Sequence, residues 1–173
     1  MKQLELLAVQ ARAALAAIGI SCGQVRCYIV NTRAKQRLGL CRTVAPGVFD
    51  IEIAAWLLQD DAPLVPAMET ILHELLHTVP ACAHCGHRGA WHALAARVHA
   101  AYPQYSVRAT VKPEDVSAPP ICFPYRVRCL RCGKTLYRLR RCPLTEHTER
   151  YVCTCGGHLH ADYAPQGFSE ELL

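Results

Sequence analysis

The sequence predicts an α+β fold in two parts: a helix-and-strand domain over residues 1–111 and a small β unit over 125–163, joined by a proline-rich linker at 112–124. Three observations predict it. Apolar residues recur with a period near 3.6 in three separate runs, and β-branched residues cluster in two short segments between the first two of them. After Pro113, Pro119, Pro120 and Pro124 the composition turns basic and cysteine-rich.

The first helix runs from Lys2 to Ile18, with Leu4, Leu7, Ala8, Ala11 and Leu15 on one face and Gly19 where a C-terminal cap belongs. Val25 to Asn31 and Gly47 to Ile53 read as strands; the second alternates apolar with acidic residues, so it is expected to be half-buried. In the second helix Asp60 and Asp61 supply capping carboxylates and Pro63 the first turn; Met68, Ile71, Leu72, Leu75 and Leu76 keep the period until Pro80. A Cys/Gly loop from Ala81 to Gly89 leads into a third helix over Ala90 to Ala101. In the β unit, Tyr125 to Cys129, Thr135 to Arg140 and Arg150 to Cys153 are the expected strands.

A chain of 173 residues supports one domain with a small appendage. Hydrophobic residues make up 51% and charged residues 19%, which excludes collagen-like, coiled-coil and fully disordered readings. No apolar stretch approaches the roughly 18 residues that cross a bilayer, so no membrane association is expected. Eleven cysteines, an odd number, with no signal-peptide pattern ahead of them argue against a secreted disulfide scaffold and for reduced, partly metal-bound thiols in the cytoplasm.

His73-Glu74-Leu75-Leu76-His77 is an H-E-x-x-H sequence inside the second helix. Four residues advance a helix by about 400°, so both imidazoles can reach one ion while Glu74 sits beside it. A catalytic zinc needs this arrangement: neutral imidazoles hold the metal, bound water is acidified to a pKa of about 7, and a carboxylate takes its proton. Two unpaired imidazoles in so apolar a helix would each cost about 1–3 kcal/mol, which disfavours a purely structural role. His84 and His87 follow in a glycine-containing loop, and Cys82 with Cys85 makes a CxxC. A closed Cys₂His₂ site built from His73, His77, Cys82 and Cys85 therefore stands as the alternative.

Cys129 and Cys132 have zinc-knuckle spacing followed by glycine, and Cys153 and Cys155 supply a second pair about twenty residues on, as CxC. Cys142 is a possible substitute. A unit this small needs a metal to fold, so a structural zinc is expected. Residues 121–160 carry eight basic residues against Glu146 and Glu149, within a chain of net charge +5. Arg126, Arg128, Arg131, Lys134, Arg138, Arg140 and Arg141 interleave with Tyr125 and Tyr137. Such a mixture suits phosphates and bases, and equally a solvated basic face over a small tyrosine core. Cys22, Cys27, Cys41 and Cys122 are read as small buried hydrophobes.

His73-Glu74-Leu75-Leu76-His77-Thr78, then Pro80, Cys82 and His87-Arg88-Gly89-Ala90-Trp91 opening a helix, resembles the SprT-like zinc metallopeptidases, relatives of the Spartan protease. Arg37-Leu38-Gly39-Leu40-Cys41 is similar to that family's R-W-G-x-C/S segment, with Leu38 in place of tryptophan, and Arg88 stands where the glycine after the third histidine is usual. The resemblance spans about Lys35 to His160. It implies a minimal zincin-like metallopeptidase domain followed by a small β zinc ribbon, and His87 as third ligand, with His84 as the alternative. It also implies Glu74 as general base, one catalytic and one structural Zn²⁺ per chain, and an endopeptidase acting on DNA-associated or DNA-crosslinked proteins recruited through the basic ribbon, with a nucleoid-associated location. The competing reading is a non-catalytic nucleic-acid-binding protein with two structural zinc sites.

Overall fold

The computed structural model describes residues 3–111, 113–116 and 122–168. The chain divides into two compact units, Met1–Pro119 and Pro120–Leu173, and its overall class is α+β.

In the first unit α1 spans Leu4–Ala17, β1 Gln24–Asn31, β2 Gly39–Ala45, β3 Val48–Ala54, α2 Leu64–His77 and α3 Ala90–Ala101. The apolar stripe of α1 (Leu4, Leu7, Ala8, Ala11, Leu15) is buried as its spacing demands. Gly19 ends the helix at φ +72°, with Gly19 N–H bonded to Ala16 O and Ile20 N–H to Leu15 O, each at 2.9 Å. That double reversal needs a left-handed residue, hence glycine.

The sheet order is β1-β3-β2, with β3 in the centre, parallel to β1 and antiparallel to β2. The sequence reading places two strands here and omits β2. An edge strand with four exposed residues at its C-terminal end lacks the alternation that marks a half-buried strand. Its signal is the Pro46-Gly47 turn, with Gly47 at φ +71° between the paired residues Ala45 and Val48. The second strand therefore begins at Val48, after Gly47 rather than at it.

β3 is also more buried than its alternation implies: Ile51 and Ile53 join the core, while Asp50 and Glu52 are only 5% and 9% exposed. Arginines cover the acidic face. Arg26 Nε donates to Asp50 at 2.9 Å, and Arg42, Arg37 and Asn31 donate to Glu52 at 2.8, 3.3 and 2.8 Å. Paired in this way, two carboxylates lose solvent without being left unsatisfied.

α2 is the central element, packed against α1, α3, β2 and β3. Ile71, Leu72, Leu75 and Leu76 are fully buried, each contributing about 1.5–3 kcal/mol of apolar transfer. Asp60 and Asp61 lie too far upstream to cap it: Pro63 occupies the cap position, without a side-chain bond, rather than the first turn. Pro66, three residues in, has no N–H, so the uncapped end leaves one orphan donor fewer.

In the second unit β4 spans Phe123–Cys129, β5 Thr135–Arg138, the one-turn α4 Pro143–Glu146 and β6 Leu159–Phe168, in the antiparallel order β5-β4-β6. The expected strand over Arg150 to Cys153 is instead a 3₁₀ turn and a single bridge, Val152 to His158; the third strand is β6. β4 begins inside the expected linker, because Pro124 sits at a bulge opposite β6 and beyond the end of β5, where no ladder N–H is required. Of that linker, Pro113–Val116 is a short 3₁₀ helix, and residues 112 and 117–121 lie outside the described ones. Among the described residues no helix is long and apolar enough to cross a membrane.

Candidate metal centres

His73 and His77 stand one turn apart on α2, and their Nε2 atoms are 3.2 Å apart. The third nitrogen arrives by a chain of i→i+3 turns. The N–H groups of Cys82, Cys85, Arg88 and Trp91 bond in succession to the carbonyls of Val79, Cys82, Cys85 and Arg88. This staircase brings His87 Nε2 to 3.0 Å from His77 Nε2 and 2.9 Å from His73 Nε2. His84 lies outside the group, held in a left-handed conformation at φ +64°. Trp91 is fully buried, its ring centroid 4.8, 5.8 and 4.8 Å from those of His73, His77 and His87. His99 is engaged with the Tyr105 carbonyl.

The arrangement fits a cation. His73 Nδ1 lies 3.0 Å from the Arg108 carbonyl, which only accepts, so the ring proton is on Nδ1 and Nε2 presents a lone pair. Three imidazole nitrogens at this separation cannot satisfy one another with one ring proton each. Zinc bonded at 2.0–2.1 Å in a tetrahedron needs about 3.3–3.4 Å between nitrogens, close to the spacing present. Burial, and then the neighbouring rings, lower His73 to about 4, burial and His87 lower His77 to about 4, and burial lowers His87. At neutral pH all three are in the ligand form.

Glu74 is 6% exposed, and burial raises its carboxyl to about 7 against the opposing pull of the Cys41 backbone N–H and the Arg37 guanidinium. β2 crosses directly over it. A Cβ on Gly39 would stand 2.6 Å from Glu74 Oε1 and 2.9 Å from Thr70 Cγ2, so only glycine leaves room for the carboxylate. Gly39 is the residue that spacing alone misses; its signal is the Arg37-Leu38-Gly39 segment. A cavity of about 1040 Å³ opens beside His73, Glu74, His77 and His87, bordered by β2, whose outer edge has no strand partner among the described residues. A second, of about 250 Å³, shares His73 and Glu74 and is lined by Arg37, Leu38, Pro66 and Arg108.

The second unit gathers Cys129, Cys132, Cys153 and Cys155 with all four sulfurs within 4.8 Å of one another. Cys129 and Cys155 are 3.5 Å apart and Cys132 and Cys153 3.6 Å, against about 3.8 Å for a tetrahedron of Zn–S bonds near 2.3 Å. The CxxC turn closes four residues on and the CxC turn three residues on, each on a left-handed glycine. Gly133 and Gly156 follow each pair at φ +75° and +78°, donating to Cys129 O and Cys153 O at 3.1 and 2.7 Å. The N–H groups of Cys132 and Arg131 lower the Cys129 thiol, and the Cys155 N–H lowers Cys153 to about 6. A Cβ on Gly157 would meet Cys129 Sγ at 2.7 Å. Cys142 is not part of the group; it caps α4, its N–H donating to Thr145 Oγ1 at 3.0 Å.

Both groups could hold metal ions and are compatible with zinc. Of the basic residues, Arg126 is bound to Asp162 at 2.9 and 3.0 Å and stacked 4.5 Å over Phe168. Arg131 donates to Cys155 O at 2.8 Å, Arg138 to Tyr137 O at 2.9 Å, and Arg141 pairs with Glu146 at 2.6 Å. Arg128, Lys134 and Arg140 are exposed and enter no ion pair among the described residues. Cys22, Cys27 and Cys41 are half-buried, and Cys122 is exposed rather than buried. Compared with protein-family models and with curated proteins, the sequence matches none.

Proposed function

We propose that the chain is a zinc-dependent endopeptidase of the SprT-like, zincin type, acting on DNA-associated or DNA-crosslinked proteins. The observation that carries this reading is the convergence of three imidazole nitrogens within 3.2 Å, next to a buried glutamate that β2 clears with a glycine. Both open onto a cavity bordered by a free strand edge. A closed structural site has less support, since neither Cys82 nor Cys85 joins the histidines among the described residues.

His73, His77 and His87 would hold the zinc, which when bound supplies a Lewis acid and acidifies water. Glu74 takes the proton of the attacking water as its oxygen bonds to the scissile carbonyl carbon, and gives that proton to the amine nitrogen as the C–N bond breaks. Burial raises this carboxyl above the usual carboxylate range, the direction that favours its returning the proton. The free edge of β2 aligns an extended substrate by main-chain hydrogen bonds, which read little side-chain identity. Arg128, Lys134 and Arg140 engage phosphates, and tethering to DNA raises the effective concentration of any protein fixed nearby.

Incubation with a protein crosslinked to DNA tests this. The zinc-loaded chain is expected to cut it, and Glu74→Gln to lower turnover about 10²–10⁴-fold while keeping its zinc. Equal turnover in wild type and Glu74→Gln, or none in either, would overturn the proposal.

A further inference from the structure

The CxxC of Cys82 and Cys85 is left unassigned by the two metal groups. Its geometry is that of a pair. The Cys85 N–H donates to the Cys82 carbonyl at 3.2 Å, closing one turn between them. Both side chains pack against the same core, Cys82 within it at 4% exposed and Cys85 half-buried at its margin. The Cys85 thiol donates to the Gly86 carbonyl at 3.4 Å, and burial followed by the nearby Cys85 sulfur pushes Cys82 up to about 11. Cys85 also opens the stretch that carries His87: its carbonyl accepts the Arg88 N–H at 3.1 Å, and His84, Gly86 and Gly89 on either side all have positive φ.

We propose that Cys82 and Cys85 are a modification site, an oxidisable dithiol that takes small disulfides such as oxidised glutathione and whose bridged form draws His87 away from His73 and His77. The half-exposed Cys85 thiolate attacks one sulfur of the small disulfide, forming a mixed disulfide and releasing one small thiol. Cys82 then attacks the Cys85 sulfur, the second small thiol leaves, and the two protons end on the departing thiols. The protein loses two electrons and the small disulfide gains them. A bridge needs the sulfurs about 2.05 Å apart. Cys82 is fixed in the core, so Cys85 makes the movement, through a segment whose left-handed residues let it rearrange. His87 is two residues away and tolerates only about 0.2 Å before its ligand geometry fails.

The effect on His87 rests on the three-histidine metal reading; formation of the bridge does not. The test equilibrates the full zinc-loaded chain with mixtures of reduced and oxidised glutathione, maps the thiols by peptide mass after alkylation, and follows zinc release to a chromophoric chelator. A Cys82–Cys85 bridge is expected without lasting glutathione adduct, together with zinc leaving the histidine site about tenfold faster or more. Cys82→Ser, lacking the resolving thiol, is expected to hold a stable adduct on Cys85, and Cys85→Ser to leave Cys82 free. A stable adduct on wild-type Cys85, or two free thiols across the whole range, overturns the proposal. A bridge with unchanged zinc release overturns it while leaving the metal reading standing. Reduced protein that takes no zinc at its histidines overturns the metal reading, and with it the claim about His87.

Discussion

The two candidate metal centres differ in what supports them. The histidine group stands on a helix whose Ile71, Leu72, Leu75 and Leu76 are fully buried in a core built from α1, α3 and the sheet. The cysteine group stands in a unit where Val127 and Cys129 are the only buried hydrophobic residues among those described. The first unit has a core of its own beside its candidate ligands; in the second the candidate ligands are most of what there is to fold around. An ion added to the first is expected to leave its fold standing, and an ion added to the second is expected to change stability.

The largest effect that separates them is loss of a thiolate. Cys129→Ala or Cys153→Ala is expected to unfold the second unit, since structural zinc contributes on the order of 10–16 kcal/mol, and to leave α1, α2 and α3 intact. Amide chemical-shift dispersion assigned to each unit checks this, and concerted unfolding of both units would break the contrast. Next is Gly39→Ala, whose Cβ would fall 2.6 Å from Glu74 Oε1. It is expected to cost about 1–3 kcal/mol in thermal unfolding and to remove most turnover while metal content stays at the wild-type level.

The histidine group also carries a pH signature. His73 and His77 fall to about 4 from an unfolded value near 6.5, so between those values the unfolded chain binds more protons than the folded one. Zinc-free protein is therefore expected to lose stability as pH drops from about 6.5 to about 4, read as a falling denaturation midpoint. Thiol substitutions in the second unit are expected to leave that profile in place. The smallest effect belongs to Arg141→Ala: Arg141 is 71% exposed and its partner Glu146 32%, and such surface pairs contribute about 0–1 kcal/mol.

Helices were the legible part of the sequence because period 3.6 survives wherever one face is buried; α3 begins at Ala90 and ends at Ala101 as its pattern indicates. β2 was hidden because an edge strand needs only one partner and gains its register from β3. The burial of Asp50 and Glu52 was hidden for a related reason: the arginines that cover them come from Arg26, Arg37 and Arg42, far away in sequence or beyond a turn. The H-E-x-x-H pair was readable from helical spacing. Spacing alone did not separate His87 from His84, because a staircase of turns sets its position; only the resemblance, through the spacing to Trp91, favoured His87, which is the one that joins the group. CxC beside CxxC looked irregular in one dimension; the turns do differ by one residue, but each ends on a left-handed glycine that brings its sulfurs into one group.

Zinc content together with zinc-edge absorption spectroscopy, on wild type and His87→Ala, tests the central claim most directly. The account predicts two zincs per chain, one bound by nitrogen and oxygen and one by four sulfurs, with only the nitrogen component disturbed in His87→Ala. Sulfur ligation at both zincs, with the variant indistinguishable from wild type, would contradict it.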